Sequence, residues 1–152
     1  MSAIRGLPPT GPGVFSAMEV AASGLTAERS RMNVIASNLA NARTTRGVDG
    51  EPYKRIDPVF EAKPLRNKTM DAVLNAVMRV DLAEVKEDTE PGQMVYDPGH
   101  PDADAEGYVE YPNVNVVTEM VNLMTASRAY EAGVATIESV KTMARSALKI
   151  GQ

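Results

Sequence analysis

The chain has 152 residues, 43% of them hydrophobic and 24% charged, a composition that allows a real core and argues against wholesale disorder. It has no Cys, which excludes disulfides, thiol catalysis and thiolate metal sites. The net charge of −4 is unevenly spread, and that spread argues against a clustered basic face for nucleic acid.

Residues 1–50 carry five Arg against three acids, a balance of +2. Residues 51–112 carry seven basic and fourteen acidic side chains, a balance of −7, and residues 113–152 carry four and three, a balance of +1. Near-neutral ends around an acidic middle fit a solvated centre and ends built for close contact. Residues 1–14 read as a flexible lead-in, since the first thirteen hold three Pro and three Gly. This start has no apolar h-region of a cleaved secretory signal. No stretch approaches the roughly 20 apolar residues of a membrane-spanning helix, so the chain is expected not to span a membrane.

From Phe15 to about Ala42 the chain turns to helix formers without Pro. Met18, Leu25, Met32 and Leu39 recur every seven residues, with Ala21, Ala22, Ile35 and Ala36 at the offsets between them. Glu28 and Arg29 interrupt this stripe, and Gly47 marks its end.

Residues 47–112 read as a β-rich loop domain. Pro52, Pro58 and Pro64 limit Tyr53–Ile56 and Val59–Phe60 to brief extended pieces. Residues 77–86 are expected as a strand, with 69–76 open between helix and strand. Gln93–Tyr96 and Tyr108–Tyr111 read as short strands, with a turn at 97–101.

The second long helix is expected over 114–149. Val116, Leu123, Tyr130, Ile137 and Ala144 form one heptad column, and Met120, Val134 and Leu148 a second, broken at Ser127 and Lys141. Asn113 or Asn115 can cap its start, and Gly151 sits past its end. Gly133 costs about 1 kcal/mol in mid-helix, a sign that another backbone approaches there. The fold class is therefore mainly α with a small β-rich insert. The N-terminal helix (15–46) and C-terminal helix (113–152) are expected to pair as an antiparallel coiled coil, one discontinuous domain. A single amphipathic helix is marginal in water, so each stripe needs the other, a second subunit, or both.

Few residues look chemical. Asp102, Asp104, Glu106 and Gly107 imitate the front of a calcium loop, but the twelfth position is Asn113 where a bidentate Glu is needed. A solvated acidic turn is the better reading, and no metal or cofactor is expected. His100 lies between Gly99 and Pro101 as a turn residue, without the partners of a general base. The acids at 84, 87, 88 and 90 read as an exposed run. No catalytic residue is assigned, and an enzyme is not expected. Asn38 and Asn41, near the end of the first helix, read either as helix-end caps or as polar contacts that set register between helices.

Two segments carry a resemblance. Ser23-Gly-Leu-Thr-Ala-Glu-Arg-Ser-Arg-Met-Asn-Val-Ile-Ala-Ser-Asn-Leu-Ala-Asn-Ala42, and above all its Ala36–Asn41 core, resembles the N-terminal signature of the flagellar rod and hook axial-protein family. Met120–Ala132 resembles the matching C-terminal signature, and the stretch Tyr96–Met120 looks like the proximal rod branch of that family. The resemblance covers most of residues 15–149.

It implies a structural subunit exported without a cleaved signal peptide through the flagellar type III apparatus and placed in the periplasmic rod of the basal body. The implied partners are other rod subunits, the rod-base adaptor, the export apparatus, the inner-membrane ring and further copies of the chain. Another axial protein, or a cytoplasmic export adaptor or chaperone, is the alternative. The expected assembly residues are Met18, Leu25, Met32, Ile35, Asn38, Leu39, Asn41, Val116, Met120, Leu123, Tyr130, Val134, Ile137 and Leu148.

Overall fold

A computed structural model describes residues 14–65 and 77–150. The expectations for residues 1–13, 69–76 and Gly151 fall outside the described residues. Two long helices enclose two small antiparallel ribbons in chain order.

Helix α1 runs over Val14–Ala40, a Pro-free stretch that stops in a turn: the Asn41 N–H still reaches Ser37 O at 3.1 Å, and the Thr44 N–H then bonds Asn41 O at 3.0 Å. Helix α2 runs over Val116–Ile150. Its N-cap is Asn115, whose Oδ1 accepts the Thr118 N–H at 3.1 Å, and whose carbonyl accepts the Glu119 N–H at 2.9 Å.

The helices pack on each other in opposite directions. Asn38 meets Glu119 at 3.4 Å, while Leu25 lies against Gly133. From Asn38 back to Leu25 is 13 residues of α1, and from Glu119 on to Gly133 is 14 of α2. A Cβ on Gly133 would sit 2.7 Å from Leu25 Cδ2. The feature that comes close to Gly133 is thus a leucine side chain, and not the expected backbone.

Within one chain Leu123, Tyr130, Ile137 and Ala144 are half-buried. The column that packs beside them is Glu119, Ala126, Gly133 and Val140, one residue earlier than Met120, Val134 and Leu148, and in it Glu119 and Ala126 are buried. Hydrophobicity selects Met120 over Glu119 and Val134 over Gly133. The close helix pair instead takes the hydrogen-bonded Glu119 and the small Gly133 into the seam and leaves Met120 and Val134 outside.

Strand β1, Ile56–Pro64, pairs with β2, Met78–Glu87. Strand β3, Gln93–Tyr96, pairs with β4, Tyr108–Tyr111. β1 is longer than the brief pieces expected from its prolines, because it is an edge strand: with β2 on one side only, Pro58 and Pro64 need donate no ladder bond on the other. The outer edge of β2 meets α1, where the Val80 N–H donates to Ser23 Oγ at 3.1 Å.

The β1–β2 ribbon separates its side chains sharply. Glu61 faces Asp81 and Lys63 faces Arg79 on one side, and Phe60 faces Leu82, Ala62 faces Val80 and Pro64 faces Met78 on the other. The register shifts between Val59 and Phe60, which skips Ala83. This bulge restores the parity, so Val85, opposite Pro58, joins Leu82 on the apolar side. In the smaller ribbon Val109 is buried. Gly107 precedes β4 with φ of 84° and with the Tyr96 ring 2.9 Å from where a Cβ would stand, a position only glycine fills.

Apolar burial is thin. Among the described residues the buried hydrophobic side chains are Ala27, Val34, Ile35, Val109 and Ala126.

Candidate assembly site

The most enclosed polar cluster lies where α1 ends, β1 begins and α2 starts. Asn38 is 1% exposed and uses its whole hydrogen-bonding capacity. Its Nδ2 donates to Ile56 O at 2.8 Å and to Glu119 Oε2 at 3.4 Å. Its Oδ1 accepts the Ile56 N–H at 3.0 Å and the Tyr53 hydroxyl at 2.9 Å. The amide thus pairs with both backbone groups of Ile56 as a neighbouring strand would, and fastens the start of β1 to α1.

Glu119, also 1% exposed, brings a carboxylate into this cluster from the first turn of α2. Its Oε1 accepts Arg55 Nε at 2.9 Å. Arg55 also forks onto Asp57, with Nη2 to Oδ1 at 2.7 Å and Nη1 on the other oxygen, and Nη1 lies 3.6 Å from Asp88 Oδ2. Burial works against the Arg55 charge. The hydrogen bonds to Glu119 and Asp57 outweigh it and hold the guanidinium above its ordinary range.

The Arg55 backbone is held as well, its N–H on Asn113 Oδ1 at 2.9 Å and its carbonyl on the Asp88 N–H at 2.7 Å. One residue therefore ties the start of β1, the end of β2 and the entry to α2. Breaking a buried pair by removing one partner costs about 3–5 kcal/mol, and the exposed ion pair Lys54–Glu51 contributes far less.

A second, shallower pin joins the turn after α1 to the loop between β3 and β4. Thr45 Oγ1 donates to Asp102 Oδ2 at 2.8 Å and Arg46 lies 3.5 Å from Oδ1. His100 Nδ1 accepts the Asp102 N–H at 3.1 Å. Asp104 Oδ1 accepts the N–H groups of Glu106 and Tyr108 at 2.9 and 2.8 Å. The calcium-like spacing thus serves to close a turn, with the Asp104 carboxylate bonded to the backbone and that of Asp102 to the turn after α1.

The two asparagines divide the roles open to them. Asn41 is local, with Nδ2 on Ser37 O at 2.9 Å and Oδ1 accepting Thr44 Oγ1 at 3.3 Å. Asn38 bonds between elements. Of the other expected assembly residues, Ile35 is buried, and Met18, Leu25, Met32, Leu39, Leu123, Tyr130 and Ile137 are half-buried in one chain. Val116, Met120, Val134 and Leu148 are exposed.

Glu119, Arg55 and Tyr53 escaped the sequence reading. An acid in the first turn of a helix reads as a partner of the helix dipole, and only the position of Glu119 opposite Asn38 makes it a buried anchor. The available signal was its place in the 119, 126, 133, 140 column.

Two family models match the chain: "Flagella basal body rod protein" over residues 18–46 and "Flagellar basal body rod FlgEFG protein C-terminal" over residues 105–150. The chain is 44% identical to the flagellar basal-body rod protein FlgC of Borreliella burgdorferi, over 92% of its own length and 99% of the relative's. It is 45% identical to FlgC of Escherichia coli O6:H1, over 91% and 98%, and 43% identical to FlgC of Bacillus subtilis, over 91% and 98%.

Proposed function

The chain belongs to the FlgC family of flagellar basal-body rod proteins, and on that premise we propose that α1 and α2 form an antiparallel coiled coil that polymerises into the proximal drive shaft. It is a structural subunit of the basal-body rod, from a family that is structural and not enzymatic. No described helix is long and apolar enough to cross a membrane.

The carrying observation is the uncovered start of α2, where Val116, Val117, Met120, Val121 and Met124 are all exposed. Between Val114 and Ser127 the one charged residue, Glu119, is buried. A ridge this apolar marks a contact with another chain, and flexible Met side chains adapt to unlike neighbours. The interface residues are those of both heptad stripes, the half-buried column holding the pair together and the exposed one meeting the neighbour. The helix pair acts as one discontinuous unit, 15–46 with 113–152, and the β-rich middle, 47–112, braces it laterally. Neighbours are further copies, other rod subunits, and the adaptor and ring at the base. Many such contacts share the torque.

Leu39→Asp and Ile137→Asp put a charge into the seam of the pair. Each should abolish motility while the chain is still exported, measured by swimming assays and immunoblots of isolated basal bodies and secreted fractions. Normal swimming by both variants would sink the proposal.

A further inference from the structure

Helix α2 outruns the described length of α1. Leu25 stands against Gly133, so the antiparallel pairing brings Val14, the first described residue of α1, level with Ala144. Ala144 is also the last half-buried residue of α2, and residues 145–149 are all exposed. The charge on these last turns has one sign. Lys141, Arg145 and Lys149 recur every four residues and share one face of the helix. No acid follows Glu138, and among the described residues none of the three is ion-paired. Lys149, in the last turn, complements the helix dipole. Lys141 and Arg145 lie further back, where the dipole gives them nothing.

We propose that this basic tip of α2 docks on the acidic base of a second copy of the chain. The inference rests on the rod reading above and assigns one of its contacts. At the base, next to the start of α2, a cleft of about 370 Å³ is lined by Glu51, Lys54, Thr89, Glu90, Glu110 and Asn113. The Glu51 hydrogen bond, with the charges of Glu87 and Glu110 behind it, holds the Lys54 ammonium above its ordinary range. Four acids against one base leave an excess of three negative charges there, which matches the three positive charges of the tip. The two cannot meet within one chain, because Lys141 lies about 37 Å along α2 from its first residue. The thirteen residues that precede α1 carry Arg5 and no acid, so they do not supply the missing charge either. Opposite charges at opposite ends of a long subunit make the contact heterologous and head-to-tail, and such a contact repeats without closing. Exposed ion pairs add little affinity one by one. Their effect is on which way two subunits approach and align.

Lys141→Glu with Arg145→Glu reverses the tip, and Glu87→Lys with Glu90→Lys reverses the base, all at exposed positions. Full chains with the tip reversed, the base reversed, or both, each replace the unsubstituted chain in cells. The expected result is a roughly tenfold loss of the chain from isolated basal bodies for either reversal alone, and recovery when both are reversed. Single reversals that assemble normally would overturn the proposal. So would a failure of the combined variant to recover, which would mean that tip and base face different partners. A second measurement leaves the charges in place. The chain has no Cys of its own, so Thr89→Cys in the cleft and Ser146→Cys on the tip report without background. Both are placed in one chain, which is co-expressed with the unsubstituted chain so that rods form, and basal bodies are treated with a short bismaleimide. A dimer is expected only when both thiols are present. Monomer alone from the double variant, or a dimer from either single variant, would overturn the proposal. Failure of the rod reading shows differently, as absence of the unsubstituted chain from basal bodies.

Discussion

The helix pair is held by opposite means at two levels. Where α1 ends and α2 starts, Asn38, Glu119 and Arg55 meet in a buried polar cluster whose every bond has a fixed direction. Halfway along α2, Leu25 settles over Gly133, a contact of shape alone. Hydrogen bonds fail when displaced by an ångström, whereas apolar contacts slide at low cost. The polar cluster therefore sets the register of α1 against α2, and the small-residue contact sets how closely they approach. A pair pinned at the first level and merely close at the second can adjust along its length when neighbours pack on it, without losing alignment.

The comparison breaks most severely at Arg55. Arg55→Ala leaves the Glu119 carboxylate buried with only the Asn38 amide at 3.4 Å, and should destabilise the folded chain by about 3–5 kcal/mol in urea denaturation followed by circular dichroism. A loss no larger than that of an exposed ion pair would mean that the cluster does not hold the register.

Asn38→Ala strands Ile56 N–H, Ile56 O and the Tyr53 hydroxyl. The expected cost is about 2–3 kcal/mol. Hydrogen exchange should quicken at the start of β1 more than in the middle of α2.

The mid-helix contact should be more forgiving. Gly133→Val drives a branched side chain into Leu25 and should cost about 1–3 kcal/mol. In Gly133→Ala the clash falls on a mobile leucine end and is partly offset by up to about 1 kcal/mol of helix propensity. The difference between the two variants in thermal unfolding sharpens the reading. Equal effects would mean that closeness is not what matters there.

The smallest effect has the opposite sign. Glu28 Oε2 is buried on α1 without a hydrogen-bond partner among the described residues, so Glu28→Leu should stabilise the subunit by about 1 kcal/mol. A drop in the unfolding midpoint would show that the carboxylate is satisfied in solution.

Much of the architecture was legible. Both helices were readable from seven-residue spacing, because Leu25, Met32, Leu123, Tyr130 and Ile137 carry the period on side chains large enough to see. The short strands at 93–96 and 108–111 were legible from their bounding turns. The other seam column was not, because its members are Glu119, Ala126, Gly133 and Val140, and a polar residue and two small ones leave Val140 as its one large apolar side chain. β1 was underestimated because a proline is read as a breaker until it is known which edge of the ribbon it faces.

The sequence by itself determined that two long helices flank an acidic, turn-rich middle, and its signatures at 23–42, 96–120 and 120–132 determined the family. These are local properties, written in spacing and residue type. Only the tertiary structure decided that Asn38 pairs with Ile56, that Glu119 is an anchor, and that a bulge at Ala83 carries Val85 to the same ribbon face as Leu82. Each joins residues distant in the chain or depends on strand parity. The free energy of a buried polar bond or a close contact belongs to the pair that makes it, and neither partner carries it alone.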